Sequence, residues 1–502
     1  MSFRGALASL EAGTADLGAY DDLARASLEE GEEEAALPVL LQAAEQFRAP
    51  LLFRWAGLLQ RSIDDHQGAL ASFERASALA PADPGIAHGH ARVALEAGLP
   101  AVDLFRRANS LAPSDGDVLL GLAAARNAAG EGIAAADELE ALLEQAPGWI
   151  HGHEQLAQLL STLGKKERVG GSLERAVGRF PREAALWLAL FELSLRREDY
   201  AALSETISRA RRAGIGPKLL EPYSAMAAAE LDPSLYPKAL FDVDPGLVKD
   251  LGLWRIRHLL RLGAVREASR IIDEELASDR KGAVWPYAAI AWRLLGDERS
   301  QWLEGDDRFV RVFDLTASLP DLEQLAATLR ALHVAKGEYV DQSVRGGTQT
   351  DGPLLSRIDP VIRKLRAAIV SSVHDYVRQL PPGDFSHPLL SEPRDRRVRF
   401  SGSWSVKLRE GGRHANHVHP QGWISSALYI SLPPKDPEER QDAGWFTLGQ
   451  PQEELKIPLE PSRKIEPQAG RLVLFPSWIW HGTVPFSQGE RLTVAFDVSP
   501  PI

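Results

Sequence analysis

The sequence predicts a multidomain fold in which an α-helical solenoid precedes an α+β domain built on an antiparallel sandwich or jelly roll. With 502 residues the chain is too long for one small domain, so two or three domains are expected. The first half carries a helical pattern that repeats about every 34 residues. From Arg397 onward, short apolar stretches alternate with glycine and proline turns, which is typical of an antiparallel β domain.

The composition excludes several classes of function. Hydrophobic residues make up 44% of the chain and charged residues 25%, as in ordinary globular proteins. The net charge of −12 offers no basic excess to neutralise phosphates, so we expect no nucleic-acid partner. The chain contains no cysteine. Disulfides and thiolate metal sites are therefore excluded, and any metal must be bound by histidine, aspartate or glutamate.

The sequence shows no sign of export or membrane insertion. The first residues lack an apolar run of signal-peptide length. No stretch approaches the roughly 18 apolar residues of a membrane span. We therefore expect a cytoplasmic protein without a membrane partner. A chain rich in alanine and arginine and poor in lysine indicates a bacterial source.

The repeat unit is marked by prolines that lie 32, 34 and 34 residues apart. These prolines are Pro81, Pro113, Pro147 and Pro181. Eight positions before them stand Phe73, Phe105, Leu139 and Leu173. Gly98, Gly130 and Gly164 lie near the repeat midpoints and fit the turn between two helices. This pattern resembles the tetratricopeptide repeat, and we assign residues 1–213 to a domain of such helical hairpins.

Residues 214–304 keep the helical periodicity but lose the proline markers. Apolar positions follow helical spacing through residues 251–263, 265–277 and 284–295. We expect degenerate helical hairpins that extend or cap the solenoid.

The third domain is predicted to span residues 305–502. It begins with a strand at 309–313 and a helix at 322–332, followed by loops at 346–348 and 352–353 and by a helix whose buried stripe runs from Ile362 to Leu380. The predicted strands that follow are residues 397–408, 415–419, 424–432, 445–448, 455–457, 472–475, 483–486 and 492–498.

Three histidines of this domain form a candidate metal site. His417 and His419 are one residue apart on a predicted strand, so alternation places both side chains on one face. His481 follows a strongly apolar segment on a distant strand. Three imidazoles in one barrel favour a metal over isolated core histidines, but imidazole suits iron, zinc, copper and nickel alike. His414 is expected to contact the ligands or the substrate.

An arginine on the last strand is a candidate for binding a carboxylate. Arg491 and Thr493 share a face by alternation, and the guanidinium forks onto carboxylates. Tyr429 could donate a further hydrogen bond. The alternative for Arg491 is a salt bridge with Glu490 or Asp497.

Other candidates carry weaker signals. Possible supporting or substrate-contacting residues are Asn416, Trp423, Trp404 and Arg345. The glycines after Arg345 lack the longer pattern and the lysine of a phosphate loop, so a turn is expected there. The histidine pairs 88/90 and 151/153 are expected at the surface or in a groove, since helical positions i and i+2 face different directions.

Residues 305–502 resemble a family of 2-oxoglutarate- and iron(II)-dependent oxygenases, some of which carry tetratricopeptide repeats. The matching segments are QSVRGGTQT (342–350), SGSWSVKL (401–408), HANHVHPQGWISSALYISL (414–432), GRLVLFPSWIWHGTV (470–484) and RLTVAFD (491–497). The resemblance implies a double-stranded β-helix fold, with His417 and His481 as iron ligands. It also implies that Arg491 and Thr493 hold the C5 carboxylate of 2-oxoglutarate.

One position departs from the pattern that the resemblance implies. His419 stands where the wider superfamily has a ligating aspartate or glutamate. Either His419 is a ligand, or the metal keeps two histidines and an additional water. We expect His419 to ligate, although a neutral imidazole leaves the site more positive than a carboxylate would.

Three functional hypotheses follow. The first is a hydroxylase that depends on iron(II), 2-oxoglutarate and O2 and whose solenoid groove recruits a peptide or protein. A small-molecule substrate is the alternative within this hypothesis. The second is a three-histidine dioxygenase that uses no 2-oxoglutarate, in which Arg491 holds the substrate's own carboxylate. The third is an interaction module whose barrel is catalytically silent.

Overall fold

A computed structural model describes residues 1–11, 16–232, 234, 238–243, 251–277, 281–337, 339–340 and 343–501. The predicted order of an α-helical part followed by an antiparallel β domain is confirmed. No helix in these ranges is both long and apolar enough to cross a membrane.

The solenoid begins with fourteen helices. They are α1 Phe3–Glu11, α2 Leu17–Glu30, α3 Glu33–Phe47, α4 Pro50–Ser62, α5 His66–Leu79, α6 Pro84–Glu96, α7 Val102–Leu111, α8 Gly116–Ala128, α9 Gly132–Gln145, α10 Ile150–Thr162, α11 Gly171–Arg179, α12 Ala184–Arg196, α13 Tyr200–Arg212 and α14 Pro217–Leu231. Five helices follow: α15 Lys238–Asp242, α16 Leu251–Arg261, α17 Val265–Leu276, α18 Trp285–Leu295 and α19 Arg299–Glu304.

The residues that mark the repeat cap the helices and let them pack closely, as expected. The side chain of Asp83 accepts a hydrogen bond from Ile86 N at the start of α6, where Pro84 occupies the first turn. Gly98, in the turn after α6, has φ +78°, a left-handed conformation that favours glycine. Phe73 is fully buried, and a Cβ at Gly89 would overlap its ring. Small residues at the crossing therefore let α5 and α6 approach each other.

The β domain consists of two antiparallel sheets and two helices, α20 Leu322–Leu332 and α21 Pro360–Gln379. Its strands are β1 Arg311–Asp314, β2 Val344–Gln349, β3 Phe400–His414, β4 Ile424–Ser431, β5 Phe446–Leu448, β6 Arg463–Ile465, β7 Arg471–Pro476, β8 His481–Thr483 and β9 Arg491–Val498. One sheet has the order β1-β7-β4-β9-β3-β2, and the other has the order β6-β5-β8.

Four predicted local structures are wrong. Of the strand predicted at residues 483–486 only Thr483 is in a strand, because β8 ends there. Residues 415–419 form no strand, because only a single bridge between His417 and His481 pairs that backbone. A 3-10 turn, Glu453–Leu455, starts where residues 455–457 were expected to be a strand, and β6 is the strand that the pattern missed. The glycines at 346–347 lie within β2 instead of a loop, where Gly346 has φ +69° and the register shifts at a bulge.

The β domain shares one hydrophobic core with the last helices before it. This core runs from Ile256 to Val498 and includes Trp292 of α18 and Tyr376 of α21. Tyr376 is fully buried and its hydroxyl donates to Phe309 O at 2.8 Å. Helices α18 and α19 are therefore packed against the sheets and not only against the solenoid.

The solenoid contacts the β domain through the ends of its helices. Arg397 Nη2 donates to Ile63 O after α4, Ile358 N to Ala97 O after α6, and Lys336 N to Thr162 O at the end of α10, at 2.8, 3.1 and 2.9 Å. The guanidinium of Arg399 forms two hydrogen bonds to Glu33 at the start of α3. These contacts fix the solenoid edge on the β domain.

A cavity of about 720 Å³ remains between the inner face of α6, α8 and α10 and the loop after β2. His88 and His151 line it, in agreement with the expected groove position. His153 does not, and its expected surface position is wrong. Its side chain is 1% exposed, with its ring nitrogens 2.9 Å from Ser172 Oγ and 3.0 Å from Pro147 O.

Candidate metal centre

His417, His419 and His481 lie together at one side of the β domain. One ring nitrogen from each lies within 4.8 Å of the others, the only such group of potential ligands found among the described residues. The ring centroids of His417 and His481 are 4.1 Å apart, and His419 lies 5.0 Å from His417 and 5.2 Å from His481. Three donors at this spacing can face one metal ion.

The backbone brings these rings together by a bridge instead of by strand alternation. His417 and His481 exchange two backbone hydrogen bonds of 3.0 Å each. His419 N donates to Ser477 O at 3.0 Å, which fixes the second histidine against the segment that leads to His481. The sequence therefore places the histidines correctly, although the expected reason for their shared face is wrong.

Each imidazole has one nitrogen committed to the protein. His417 Nδ1 lies 2.8 Å from Ala415 O, and His481 Nδ1 lies 3.0 Å from Ile479 O. His419 Nδ1 lies 2.7 Å from Asp497 Oδ2. Since a carbonyl or carboxylate oxygen only accepts, each Nδ1 carries the proton, and the lone pair of Nε2 is left for a metal.

Burial favours the neutral form of His417 and His481. Burial, followed by the charge of the neighbouring His419, lowers the pKa of His417 to about 3. Burial, followed by the charge of neighbouring histidines, also places the pKa values of His414 and His481 well below the ordinary range. A neutral imidazole is the form that binds metals, so His417 and His481 are prepared for ligation at neutral pH.

Arg491 is a buried cation that lacks a carboxylate partner among the described residues. Its side chain is 2% exposed, Nη1 donates to Gly444 O at 2.9 Å, and Nε has no partner. The two alternatives in the sequence are otherwise engaged, because Glu490 pairs with Arg330 and Asp497 pairs with His419. A buried unpaired guanidinium is costly, so this position favours an anion.

Two hydroxyl groups complete the surroundings of Arg491. Tyr429 on β4 and Thr493 on β9 are directly opposite in the register. The Tyr429 hydroxyl is buried without a partner, and burial raises its pKa to about 12, so it remains a donor. The Arg491 guanidinium lies 5.7 Å from the Tyr429 ring. Arg491, Thr493, Tyr429 and the three histidines line one cavity of about 330 Å³.

The other candidate residues are divided between the cavity and its surroundings. Trp404 stacks on His419 at 5.7 Å and 15°, and His414 stacks on His417 at 5.8 Å; both line the cavity. Asn416 Nδ2 donates to Pro451 O, and Trp423 Nε1 donates to Leu389 O, and neither residue lines the cavity.

Arg345 is exposed and does not line the cavity either. The matching segment at 342–350 begins at Gln342, which lies outside the described residues.

Sequence reasoning missed two residues that contact the histidines. Ser343 Oγ lies 3.2 Å from His417 Nε2, and only its place in the matching segment 342–350 marked it. Asp497 contacts His419, and a signal for it existed. Residues 491, 493, 495 and 497 alternate along β9 and all line the cavity, so the carboxylate shares a face with Arg491.

Comparison with known proteins supports the general class of this domain. Residues 402–497 match the family model described as "Putative 2OG-Fe(II) oxygenase". The name of this family includes iron(II) and 2-oxoglutarate, and the three imidazoles and the buried Arg491, which has no carboxylate partner among the described residues, fit both reagents. No curated protein matches the chain significantly. Residues 402–497 thus resemble oxygenases that use iron(II) and 2-oxoglutarate.

Solved structures resemble the two parts of the chain separately. A prolyl-4-hydroxylase from Pseudomonas putida is 17% identical over 38% of this chain and 92% of its own, with a TM-score of 0.26. HygX from Streptomyces hygroscopicus, with nickel and 2-oxoglutarate bound, is 13% identical over 38% of this chain and 83% of its own, with a TM-score of 0.28. A tetratricopeptide repeat protein from Parabacteroides merdae is 14% identical over 45% of this chain and 90% of its own, with a TM-score of 0.32. No functional conclusion follows from scores this low.

Proposed function

We propose that this protein is an iron(II)- and 2-oxoglutarate-dependent hydroxylase that acts on a peptide or protein substrate. One observation carries the proposal. A cluster of three imidazoles and a buried arginine without a carboxylate partner among the described residues line the same cavity. The first suits a divalent metal, and the second suits the remote carboxylate of a metal-chelating dicarboxylate.

The residues divide into those for the metal and those for the co-substrate. His417, His419 and His481 would hold iron(II) through Nε2. Arg491 would hold the C5 carboxylate of 2-oxoglutarate, with Thr493 and Tyr429 as further hydrogen-bond donors. When bound, iron with 2-oxoglutarate and O2 supplies the oxidising power that hydroxylates a C–H bond and releases succinate and CO2.

The protein contributes orientation and a low-dielectric environment. Phe475 and Phe446 pack against His481, with their ring centroids 4.7 and 5.9 Å from that of the imidazole. The Trp404 ring covers one face of His419. These apolar side chains restrict ring rotation and exclude water from one side of the site, which strengthens the attraction between Arg491 and an anion.

The inter-domain cavity supports a peptide substrate. It combines apolar side chains such as Leu95 and Phe105 with polar ones, as peptide-binding clefts do. Gln349 at the end of β2 lines the metal cavity, and the next residue, Thr350, lines the inter-domain cavity. A chain held between solenoid and β domain therefore needs to pass only one strand to reach the metal.

Anaerobic titration tests the co-substrate assignment. Adding iron(II) and then 2-oxoglutarate should produce a visible absorption band from the chelate, and adding O2 should yield succinate. Arg491→Gln should weaken 2-oxoglutarate binding about 10-fold or more while iron binding is retained. Arg330→Gln is the control, because Arg330 is exposed and pairs with Glu490. Equal 2-oxoglutarate affinity in the Arg491 variant and the wild type would reject the assignment.

The substrate can be sought with the same protein. His481→Ala should lose the metal and retain the inter-domain cavity, so it can capture a peptide partner without converting it. Mass spectrometry should then find one added oxygen atom on that partner after incubation with the wild-type protein, iron(II), 2-oxoglutarate and O2. A captured partner that gains no oxygen contradicts the proposal.

The replacement of a carboxylate by His419 favours a second candidate, a three-histidine dioxygenase that needs no 2-oxoglutarate. In that case Arg491 would hold a carboxylate of the substrate itself. Oxygen consumption with a substrate but without 2-oxoglutarate, and without succinate formation, would select this candidate.

A further inference from the structure

A chain of buried polar groups lies behind His419. Asp497 Oδ2 accepts from His419 Nδ1 at 2.7 Å, and its other oxygen, Oδ1, accepts from Ser425 Oγ at 2.6 Å. Ser425 Oγ also lies 2.9 Å from Ser477 Oγ. The side chains of Asp497 and His419 are 11% and 21% exposed, and both serines are at most 2% exposed. The carboxylate is therefore held in one orientation by two hydrogen bonds.

This arrangement occurs at the histidine that departs from the family pattern. His417 and His481 donate from Nδ1 to neutral backbone carbonyls, and only His419 donates to a carboxylate. A carboxylate behind a metal-bound imidazole fixes its tautomer and raises its basicity. It also places one negative charge close to the metal although it is not a ligand itself.

We propose that Asp497 supplies through His419 the negative charge that a directly ligating carboxylate would otherwise supply. Asp497 is thus a positioning residue that makes the three-histidine site electronically similar to a site with two histidines and one carboxylate. The proposal rests on the proposed metal site. It goes beyond that site in assigning a role to Asp497 and a reason for the tolerance of histidine at position 419.

Two features of the structure argue against a role in fold stability alone. Asp497 lines the metal cavity, and its face of β9 is shared by Arg491 and Thr493. The stacking of Trp404 and the backbone bond to Ser477 already hold the ring and backbone of His419 in place. The carboxylate is therefore not the sole support of His419, and its distinct contribution is charge.

Metal affinity tests this inference without turnover. Iron(II) or cobalt(II) binding should be measured anaerobically by tryptophan quenching in the wild type, Asp497→Asn and Ser425→Ala. The change Asp497→Asn retains an acceptor for His419 but removes the charge, so affinity should fall about 10- to 100-fold. Ser425→Ala removes one support of the carboxylate but keeps the charge, so it should change affinity much less. The thermal unfolding midpoint of each metal-free variant reports whether the fold is retained.

A double-mutant cycle gives the sharper result. In His419→Asp the carboxylate is at the metal, so the further change Asp497→Asn should cost no affinity and should relieve repulsion between two adjacent carboxylates. The chelate band should also move to higher energy in Asp497→Asn, because the iron becomes less electron-rich, and should not move in this way in the His419→Asp background.

The outcomes separate the two proposals. A wild-type protein that binds no metal overturns both. A wild-type protein that binds metal and gives the chelate band, with Asp497→Asn within twofold of its affinity, overturns only the role of Asp497. The same loss of affinity from Asp497→Asn in both backgrounds also overturns that role, since it would indicate a general structural effect.

Discussion

The change Glu33→Gln should strongly weaken the attachment of the solenoid to the β domain. Glu33 begins α3 and its side chain is 1% exposed, and the side chain of Arg399, just before β3, is 14% exposed. Two hydrogen bonds of 2.8 and 2.5 Å join them in a fork. Ser62 Oγ adds a bond to Glu33, and Ser62 O accepts a bond from Arg399. The change leaves the arginine charge buried beside a neutral amide.

The expected magnitude follows from the burial of the pair. Removing one partner of a buried ion pair costs about 3–5 kcal/mol, because the remaining charge loses its compensation. The neighbouring pair of Glu32 and Arg396 provides a matched control at the same interface. Its atoms are 3.2 Å apart and its side chains are 36% and 38% exposed. Glu32→Gln should therefore cost about 0–1 kcal/mol.

Urea unfolding followed by tryptophan fluorescence and by circular dichroism provides the assay. Glu33→Gln should lower the midpoint and separate the two transitions. Circular dichroism follows mainly the helices of the solenoid, whereas eight of the twelve tryptophans lie in α18, α19 and the β domain, which share one core. A double-mutant cycle with Arg399→Met should give a coupling free energy of about 2 kcal/mol or more. If Glu33→Gln costs no more than Glu32→Gln, the buried fork does not hold the two parts together.

Three further predictions concern single positions. Gly98→Ala should destabilise the protein by about 1–3 kcal/mol in urea unfolding, because φ is +78° and a Cβ would overlap the guanidinium of Arg357; an unchanged midpoint would contradict the strain. Burial raises the pKa of Glu96, but hydrogen bonds from its histidine and arginine partners lower it to about 2. Its stabilisation, about 3 kcal/mol, should be complete above pH about 4.5 and lost as pH falls towards 2, and Glu96→Gln should flatten that dependence of the unfolding midpoint on pH. Trp404→Phe should remove much of the fluorescence quenching caused by iron(II), because this indole stacks on His419; quenching as strong as in the wild type would place the metal elsewhere.

The sequence predicts the regular parts of this protein because they follow local rules. Helix 322–332 coincides with α20, and the midpoint glycines take the left-handed conformation of a helix end. Residues 415–419 are different. Their alternation suggested a strand, but pairing partners are set by tertiary structure, and the backbone obtains only one bridge.

The contacts between the two parts of the chain lay beyond sequence reasoning. The fork between Arg399 and Glu33 joins residues 366 positions apart, and no periodicity signals such a pair. The role of Asp497 was within reach, because strand alternation from Arg491 passes through it. The sequence offered Asp497 only as a salt-bridge partner for Arg491, whereas in the structure its carboxylate contacts His419.

The solenoid is attached to the β domain at the ends of α4, α6 and α10. In the proposed function, these contacts would hold a peptide in the inter-domain cavity at a set distance from the three histidines. The residue that is hydroxylated would then be set by the number of residues between it and the segment bound in the cavity. Inserting one residue into that interval would shift hydroxylation to the neighbouring residue.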